Sequence, residues 1–192
     1  MLRPCPGVKV KPEDPAGVRI IGLSTGGTRR TGEESTSMAD HDVVVYGATG
    51  FVGFLVAEHL AAHAPAGLRI ALGGRSASRL AEARERLGTD WPVIVADAGD
   101  EHAMRALARS ARVVVSTVGP YVEHGHELVR ACAEAGTDYA DLTGEVLFVR
   151  RSIDDNHERA RRSGARIVHS CGFDSVPSDL GVHVLHAAAG AE

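Results

Sequence analysis

The sequence predicts an α/β domain: a parallel sheet of six strands, doubly wound by helices, in the order 3-2-1-4-5-6. Three observations carry that expectation. Short valine-rich runs alternate with stretches of helical periodicity, and each strand but the last is followed by a helix before the next strand. Such alternation implies right-handed crossovers and hence a parallel sheet. The first run, Val43–Tyr46, contains no charged residue, as a strand buried on both faces requires. A cluster of glycines follows it at once, the punctuation of a sharp strand-to-helix turn.

The elements follow in order. After strand one, a helix is expected with Val52, Val56 and Leu60 on one stripe. Leu68–Leu72 reads as strand two, Ala77–Leu87 as a short helix and Val93–Ala96 as strand three. Asp100 stands where an N-cap belongs, ahead of a helix turning Ala103, Leu107 and Ala111 inward. Val113–Val118 is strand four, Val122–Ala135 a helix and Tyr139–Leu142 strand five. A helix of about 17 residues should then carry Val146, Val149 and Ile153 on its apolar face. Arg166–His169 is strand six, and Pro177 suits the first turn of a last helix bearing Leu180, Val184 and Leu185.

Composition bounds the rest. The 192 residues are 44% hydrophobic and 24% charged, with a net charge of −4. That is ordinary globular composition, which excludes collagen-like, disordered and disulfide-scaffold classes. With no basic stripe, nucleic acid is not an expected partner. No apolar run reaches the roughly 18–20 residues of a membrane span. Cys5, Cys132 and Cys171 form no CxxC pair, which points to a reducing cytoplasm and away from thiolate zinc. Lys9 and Lys11 are the only lysines, so no mechanism can use a lysine in the folded core. Residues 1–37 hold four of the eight prolines and no sustained periodicity. They read as a disordered extension or a mis-annotated upstream stretch, leaving 38–192 as the domain.

The glycine cluster reads Gly47-Ala48-Thr49-Gly50-Phe51-Val52-Gly53. Between a buried strand and a helix, such a loop is a dinucleotide-binding candidate. Gly47 permits the turn, Gly50 lets backbone approach a pyrophosphate, and Gly53 lets helix and strand pack closely. The helix N-terminus adds unpaired N–H groups and a positive dipole end. A glycine-rich turn with no ligand is the alternative. No lysine follows, so this is not a P-loop. The two-residue gap between the first glycines resembles NADP-preferring fingerprints.

An NAD site needs an acid after strand two, to accept from the ribose 2′-hydroxyl. Here the chain reads Gly73-Gly74-Arg75-Ser76. Arg75 can fork onto a 2′-phosphate and Ser76 can add a hydroxyl, so NADP(H) is the expected cofactor. A solvated arginine is the competing reading. Asp97 could accept from the adenine amino group or cap the next helix.

Val44–Gly53, Gly73–Ser76, Val114–Tyr121, Asp138–Glu145 and Cys171–Gly181 together resemble the saccharopine dehydrogenase-like oxidoreductases. They look particularly like an actinobacterial branch that includes trans-acting enoyl reductases of lipid biosynthesis. The resemblance covers about 38–192 and implies a Rossmann-type NADP(H) domain followed by a substrate domain. This chain reads as truncated before that second domain. The implied activity is NADPH-dependent enoyl reduction of an acyl or lipid-like compound, with saccharopine chemistry as runner-up. A non-catalytic NADP(H)-binding module or inactive fragment is the alternative, and a homodimer or peripheral membrane contact is compatible with either.

Ligands of open parallel sheets lie across the carboxyl ends of the strands. Thr117, Val118, Gly119, Pro120 and Tyr121 follow strand four, where a nicotinamide ribose would pass, and Tyr121 could instead staple the helix start. Asp141 and Glu145 follow strand five and could line a substrate site or cap a helix. Cys171, Asp174 and Ser175 follow strand six, and by the resemblance their loop lies near the nicotinamide. No catalytic residue can be named. Neither His124-x-His126 nor His183-x-x-His186 has a third ligand in register, so no metal is expected. A Tyr-x-x-x-Lys dyad is absent, as the lysine positions require.

Overall fold

A computed structural model describes residues 39–190. The N-terminal stretch read as an extension lies outside them. The elements are β1 (His41–Tyr46), α1 (Phe51–His63), β2 (Ile70–Gly74), α2 (Ala77–Leu87), β3 (Val93–Val95), α3 (Glu101–Ser110) and β4 (Ala111–Ser116). There follow α4 (Tyr121–His124), α5 (His126–Ala135), β5 (Asp138–Asp141), α6 (Val146–Ser163), β6 (Ile167–Val168) and α7 (Val176–Ala189). The six strands form one sheet in the order β3-β2-β1-β4-β5-β6, and every pairing is parallel. The expected architecture is therefore the observed one.

Successive side chains of a strand point to opposite faces, and β1 uses both. Val44 joins the larger core, with Met104 of α3, Leu128 and Val129 of α5 and Phe148 of α6. Val45 joins a smaller core with Ala57 of α1, Leu72 of β2 and Leu80 of α2. Helices α1 and α2 thus cover one face, and α3 to α6 the other. Across the outer surface of the second layer, Glu101 of α3 takes Arg105 at 2.6 Å and Arg130 of α5 at 2.5 Å. Arg130 also holds Glu127 at 2.6 Å, so these charges form a network, which contributes more than isolated exposed pairs.

Several expected faces are corrected. Helix α1 buries Gly53 and Ala57, with Val56 and Leu60 partly buried, while Val52 faces outward. Gly53 takes a buried position because α1 approaches the sheet so closely there that no side chain fits. In α3 the buried residues are Met104, Leu107 and Ala108, and Ala111 already belongs to β4. The helix expected over 122–135 is two pieces joined at Gly125, where a Cβ would lie 2.7 Å from the Phe148 ring. Helix α6 buries Phe148, Ser152, Asn156 and Ala160; of the expected face Val149 packs against the core, whereas Val146 and Ile153 are exposed. Several strands are displaced by up to two residues from their expected bounds: β2 runs on through Gly73 and Gly74 and β4 ends at Ser116. Pro177 lies in the first turn of α7, and none of that helix's residues is buried.

Candidate functional site

The cleft at the carboxyl ends of β1, β2 and β4 is built around the glycine loop. Gly47 has φ +92°, and a Cβ there would fall 2.6 Å from Thr117 Oγ1. A Cβ on Gly53 would fall 2.1 Å from the Gly47 carbonyl oxygen. Both positions therefore exclude any side chain. The loop is pinned from two sides. The N–H groups of Gly47 and Ala48 donate to the Gly73 carbonyl at 2.9 and 3.2 Å. Just beyond β4, the Thr117 hydroxyl lies 3.2 Å from the Tyr46 carbonyl oxygen and 3.3 Å from that of Gly47.

Gly50 is the N-cap of α1, so no side chain closes that end, and the first turn holds no acid. The next two helices differ. Ser76 caps α2 by accepting from Arg79 N–H at 3.4 Å. Asp100 caps α3 by accepting from His102 and Ala103 N–H at 2.9 and 3.1 Å. Only α1 of these three leaves its first N–H groups open, and they face a glycine loop. An electropositive backbone pocket results.

The cleft encloses about 250 Å³ between the loop, the end of β2 and the loop after β4. Of the residues singled out in the sequence, it gathers Gly47, Thr49, Gly50, Arg75, Asp97, Thr117, Val118 and Gly119. Ala48 is wholly buried beneath the loop. Phe51 and Val52 point their side chains away, Phe51 lining a separate hollow between α1 and α2, so only their backbone can serve the cleft. Ser76 is occupied as a cap. Asp97 does not cap α3; its Oδ1 accepts from Gly99 N–H at 2.9 Å. Arg79 lines the cleft as well, and its guanidinium donates to the Thr49 carbonyl at 3.3 Å. Sequence reasoning passed over Arg79, which lies in the first turn of α2, the helix that follows Arg75 and Ser76. His124 also lines the cleft.

Beyond Gly119 the chain turns inward. Tyr121 is buried against Phe148, with ring centroids 5.6 Å apart, and its hydroxyl donates to the Ser116 carbonyl at 3.0 Å. Burial pushes that phenol up to about 12. Tyr46, likewise raised to about 12 by burial and by Asp97, donates to the Ala96 carbonyl at 3.2 Å. Both hydroxyls stay protonated and committed to carbonyls.

The last residue of β5 and the residues after β5 and β6 form a second group. The Asp141 carboxylate is fully buried, accepting from Thr143 and Ser170 N–H on Oδ1 at 3.1 Å each and meeting His169 Nδ1 on Oδ2 at 2.7 Å. Glu145 does cap a helix, but the one across the cleft edge: its two oxygens accept from Tyr121 and Val122 N–H at 2.7 and 2.8 Å, at the start of α4. Cys171 is exposed, and its thiol is pushed up by partial burial and by Asp141, which keeps it a thiol. Asp174 is exposed, and Ser175 sits at the N-cap of α7 without a side-chain hydrogen bond. Among the described residues, no group of His, Cys, Asp and Glu could hold a metal ion.

Residues 43–168 match the family model described as saccharopine dehydrogenase NADP binding domain. A provisionally named trans-acting enoyl reductase of Mycobacterium tuberculosis is 58% identical over 153 residues, covering 78% of this chain and 36% of that protein. The trans-acting enoyl reductase of Mycobacterium ulcerans is 52% identical over 158 residues, covering 81% and 38%. The chain thus spans little more than a third of these relatives. Among solved structures, apo saccharopine dehydrogenase of Saccharomyces cerevisiae superposes with a TM-score of 0.58 at 18% identity, covering 70% of this chain and 28% of that one. The triphenylmethane reductase of Citrobacter sp., complexed with NADP(H), does so at 0.51 and 18%, covering 67% and 48%. At that identity, both show a shared fold.

Proposed function

From the premise that the chain belongs to the saccharopine dehydrogenase NADP-binding domain family, we propose that residues 38–192 hold NADP(H) in the β1–β2–β4 cleft. We propose further that they serve, within a longer protein, the reduction of an enoyl compound of acyl or lipid type. The carrying observation is the pairing of an uncapped, acid-free α1 terminus with two arginines, Arg75 and Arg79, in one cleft. The open N–H groups of Thr49 in the glycine loop and of Phe51, Val52 and Gly53 suit a pyrophosphate. The two guanidiniums suit a 2′-phosphate. Asp97 keeps an oxygen for the adenine side, and Thr117, Val118 and Gly119 lie along the route to the nicotinamide.

When bound, the cofactor supplies the hydride, and the protein supplies placement and electrostatics. Glu145 fixes the start of α4, which holds the 117–120 loop against the cleft. Asp141 fixes the loops that follow β5 and β6, where Cys171, Asp174 and Ser175 stand nearest to a substrate. The enoyl reading leans on the similarity to the trans-acting enoyl reductases. The competing reading is a non-catalytic NADP(H) module. No helix among the described residues is long and apolar enough to cross a membrane. The free thiols Cys132 and Cys171 support a cytoplasmic site, and the uncovered apolar α7 supports self-association as a homodimer.

NADPH and NADH titrations of the wild type, Arg75→Ala and Arg79→Ala test the cofactor reading. The expected result is a tenfold or greater loss of NADPH affinity (about 1.4 kcal/mol) in Arg75→Ala, with NADH binding little changed. Equal losses for both nucleotides would sink the 2′-phosphate assignment. Oxidation of bound NADPH by a short 2-enoyl thioester separates the enzyme from the binding module.

A further inference from the structure

A chain of hydrogen bonds, most of them part-buried, runs from the buried face of α6 to the rim of the cleft. It starts at Ser152, a buried serine in the middle of α6, whose Oγ lies 2.9 Å from His169 Nε2. His169 Nδ1 meets Asp141 Oδ2 at 2.7 Å. A carboxylate can only accept, so Nδ1 donates to Asp141, while Nε2 shares its bond with the serine hydroxyl. The ring is held in this plane by two edge contacts, to Tyr139 at 5.9 Å and Phe148 at 5.3 Å between centroids. Asp141 Oδ1 then ties down the two loops that follow it in space, through Thr143 N–H and Ser170 N–H. Ser170 takes φ 59°, uncommon for a residue with a side chain, and its hydroxyl donates to the Thr143 carbonyl at 2.8 Å. Thr143 Oγ1 accepts from Glu145 N–H at 3.0 Å, and the Glu145 carboxylate receives Tyr121 and Val122 N–H. The last link is the Tyr121 hydroxyl on the Ser116 carbonyl, one residue before Thr117 enters the cleft.

Every member of this chain has its geometry set by the next, and inside a protein such bonds reinforce one another. None of its side chains from Asp141 to Ser152 lines the cofactor cleft. We infer that His169 is a positioning residue: through Asp141, Thr143 and Glu145 it sets the 117–121 loop, and so governs the nicotinamide half of the cofactor site while leaving the adenosine half alone. The inference rests on the NADP(H) reading above. The adenosine half is built from β1, α1 and β2, whose hydrogen bonds run to Gly73 and Thr49; it meets the 117–121 loop at Thr117, whose N–H and hydroxyl reach the Tyr46 and Gly47 carbonyls ahead of the residues that Glu145 holds.

The separation between halves gives a readout that a loss of general stability would not produce. NADPH and adenosine 2′,5′-bisphosphate, which lacks the nicotinamide half, are titrated against the full 192-residue chain and its His169→Ala and His169→Asn variants. His169→Ala is expected to weaken NADPH tenfold or more while the bisphosphate changes less than twofold. His169→Asn, which keeps a donor near the Nδ1 position, is expected to recover NADPH binding to within about threefold of wild type. If His169→Ala does not fold, Ser152→Ala removes only the outer bond of the ring and should weaken NADPH about threefold with the same selectivity. An equal loss for both ligands in the variant that folds, or no loss for either, overturns the positioning role. A wild type that binds neither ligand overturns the NADP(H) reading itself, which distinguishes the two failures.

Discussion

Replacing Gly53 by alanine adds one methyl group at the tightest contact in the phosphate-type loop. That methyl would sit 2.1 Å from the Gly47 carbonyl oxygen, 2.7 Å from the carbonyl carbon and 2.7 Å from Thr117 Oγ1. Two of the three atoms are backbone, so no rotamer change relieves the clash. Helix α1 must retreat by roughly 0.9 Å merely to bring the first contact to 3.0 Å, and dispersion is lost along the Gly53–Ala57 face as it does so. Overpacking of this kind costs about 1–3 kcal/mol. For a domain of this size each kcal/mol lowers Tm by about 2–4 °C, so the expected fall is about 2–12 °C. The same retreat drags the α1 N–H groups from the cleft, and NADPH affinity should drop at least tenfold. Thermal unfolding and nucleotide titration read both effects. Gly50→Ala is the internal control, since its methyl would meet only the Gly47 oxygen, at 3.3 Å, and should cost far less stability. A Gly53→Ala protein with wild-type Tm and wild-type NADPH binding would refute the close-approach argument.

Other outcomes follow from the same geometry. Glu145→Ala orphans the Tyr121 and Val122 N–H groups and should cost about 1–2 kcal/mol in urea unfolding, as lost N-caps do; equal stability of the Ala variant and wild type would show the cap to be idle. Hydrogen bonds from the Arg69 side chain and backbone hold the Asp42 carboxyl well below its ordinary range. Burial alone would raise Asp138, but the bonds from Arg166 outweigh it and the carboxyl is again lowered. Groups depressed in the folded state contribute stability that is present above about pH 4, the unfolded carboxyl value, and is lost as pH falls below it. Asp42→Asn and Asp138→Asn should each flatten that acid limb in stability measured against pH, and an unchanged slope in the double variant would count against both pairs.

The order of strands and helices was legible because buried parallel strands announce themselves as short valine runs, and because glycine and Asp100 mark turns and caps. Helix faces were less so. The rule that larger apolar residues face inward held only in part at α1, where Val56 and Leu60 pack against the core but Val52 faces out and the fully buried positions are Gly53 and Ala57. The same is true of α6, where Ser152 and Asn156 are buried while Val146 and Ile153 face out. Ser152 is buried because it has His169 as a partner 17 residues away, a pairing that no local pattern encodes. The glycine loop and Arg75 could be placed in one cleft from sequence, since strand order fixes which loops are neighbours. Arg79 was hidden by looking like any arginine on a charged helix. Glu145 was expected either to line the site or to cap the helix that follows it. It caps α4 instead, because β4 and β5 are adjacent and bring residue 145 beside residue 121.

The open end of α1 has a thermodynamic consequence for the free protein. Serine and aspartate close the ends of α2 and α3 from within the chain, whereas α1 leaves that work to whatever anion occupies the cleft. A ligand that binds only the folded state raises stability by about 2.7 kcal/mol when present at a hundred times its Kd. The lifetime of this domain against unfolding and proteolysis is then tied to the supply of free dinucleotide. Hydrogen exchange in the first turn of α1 would follow nucleotide concentration, while the buried strands β1 and β4 kept their protection.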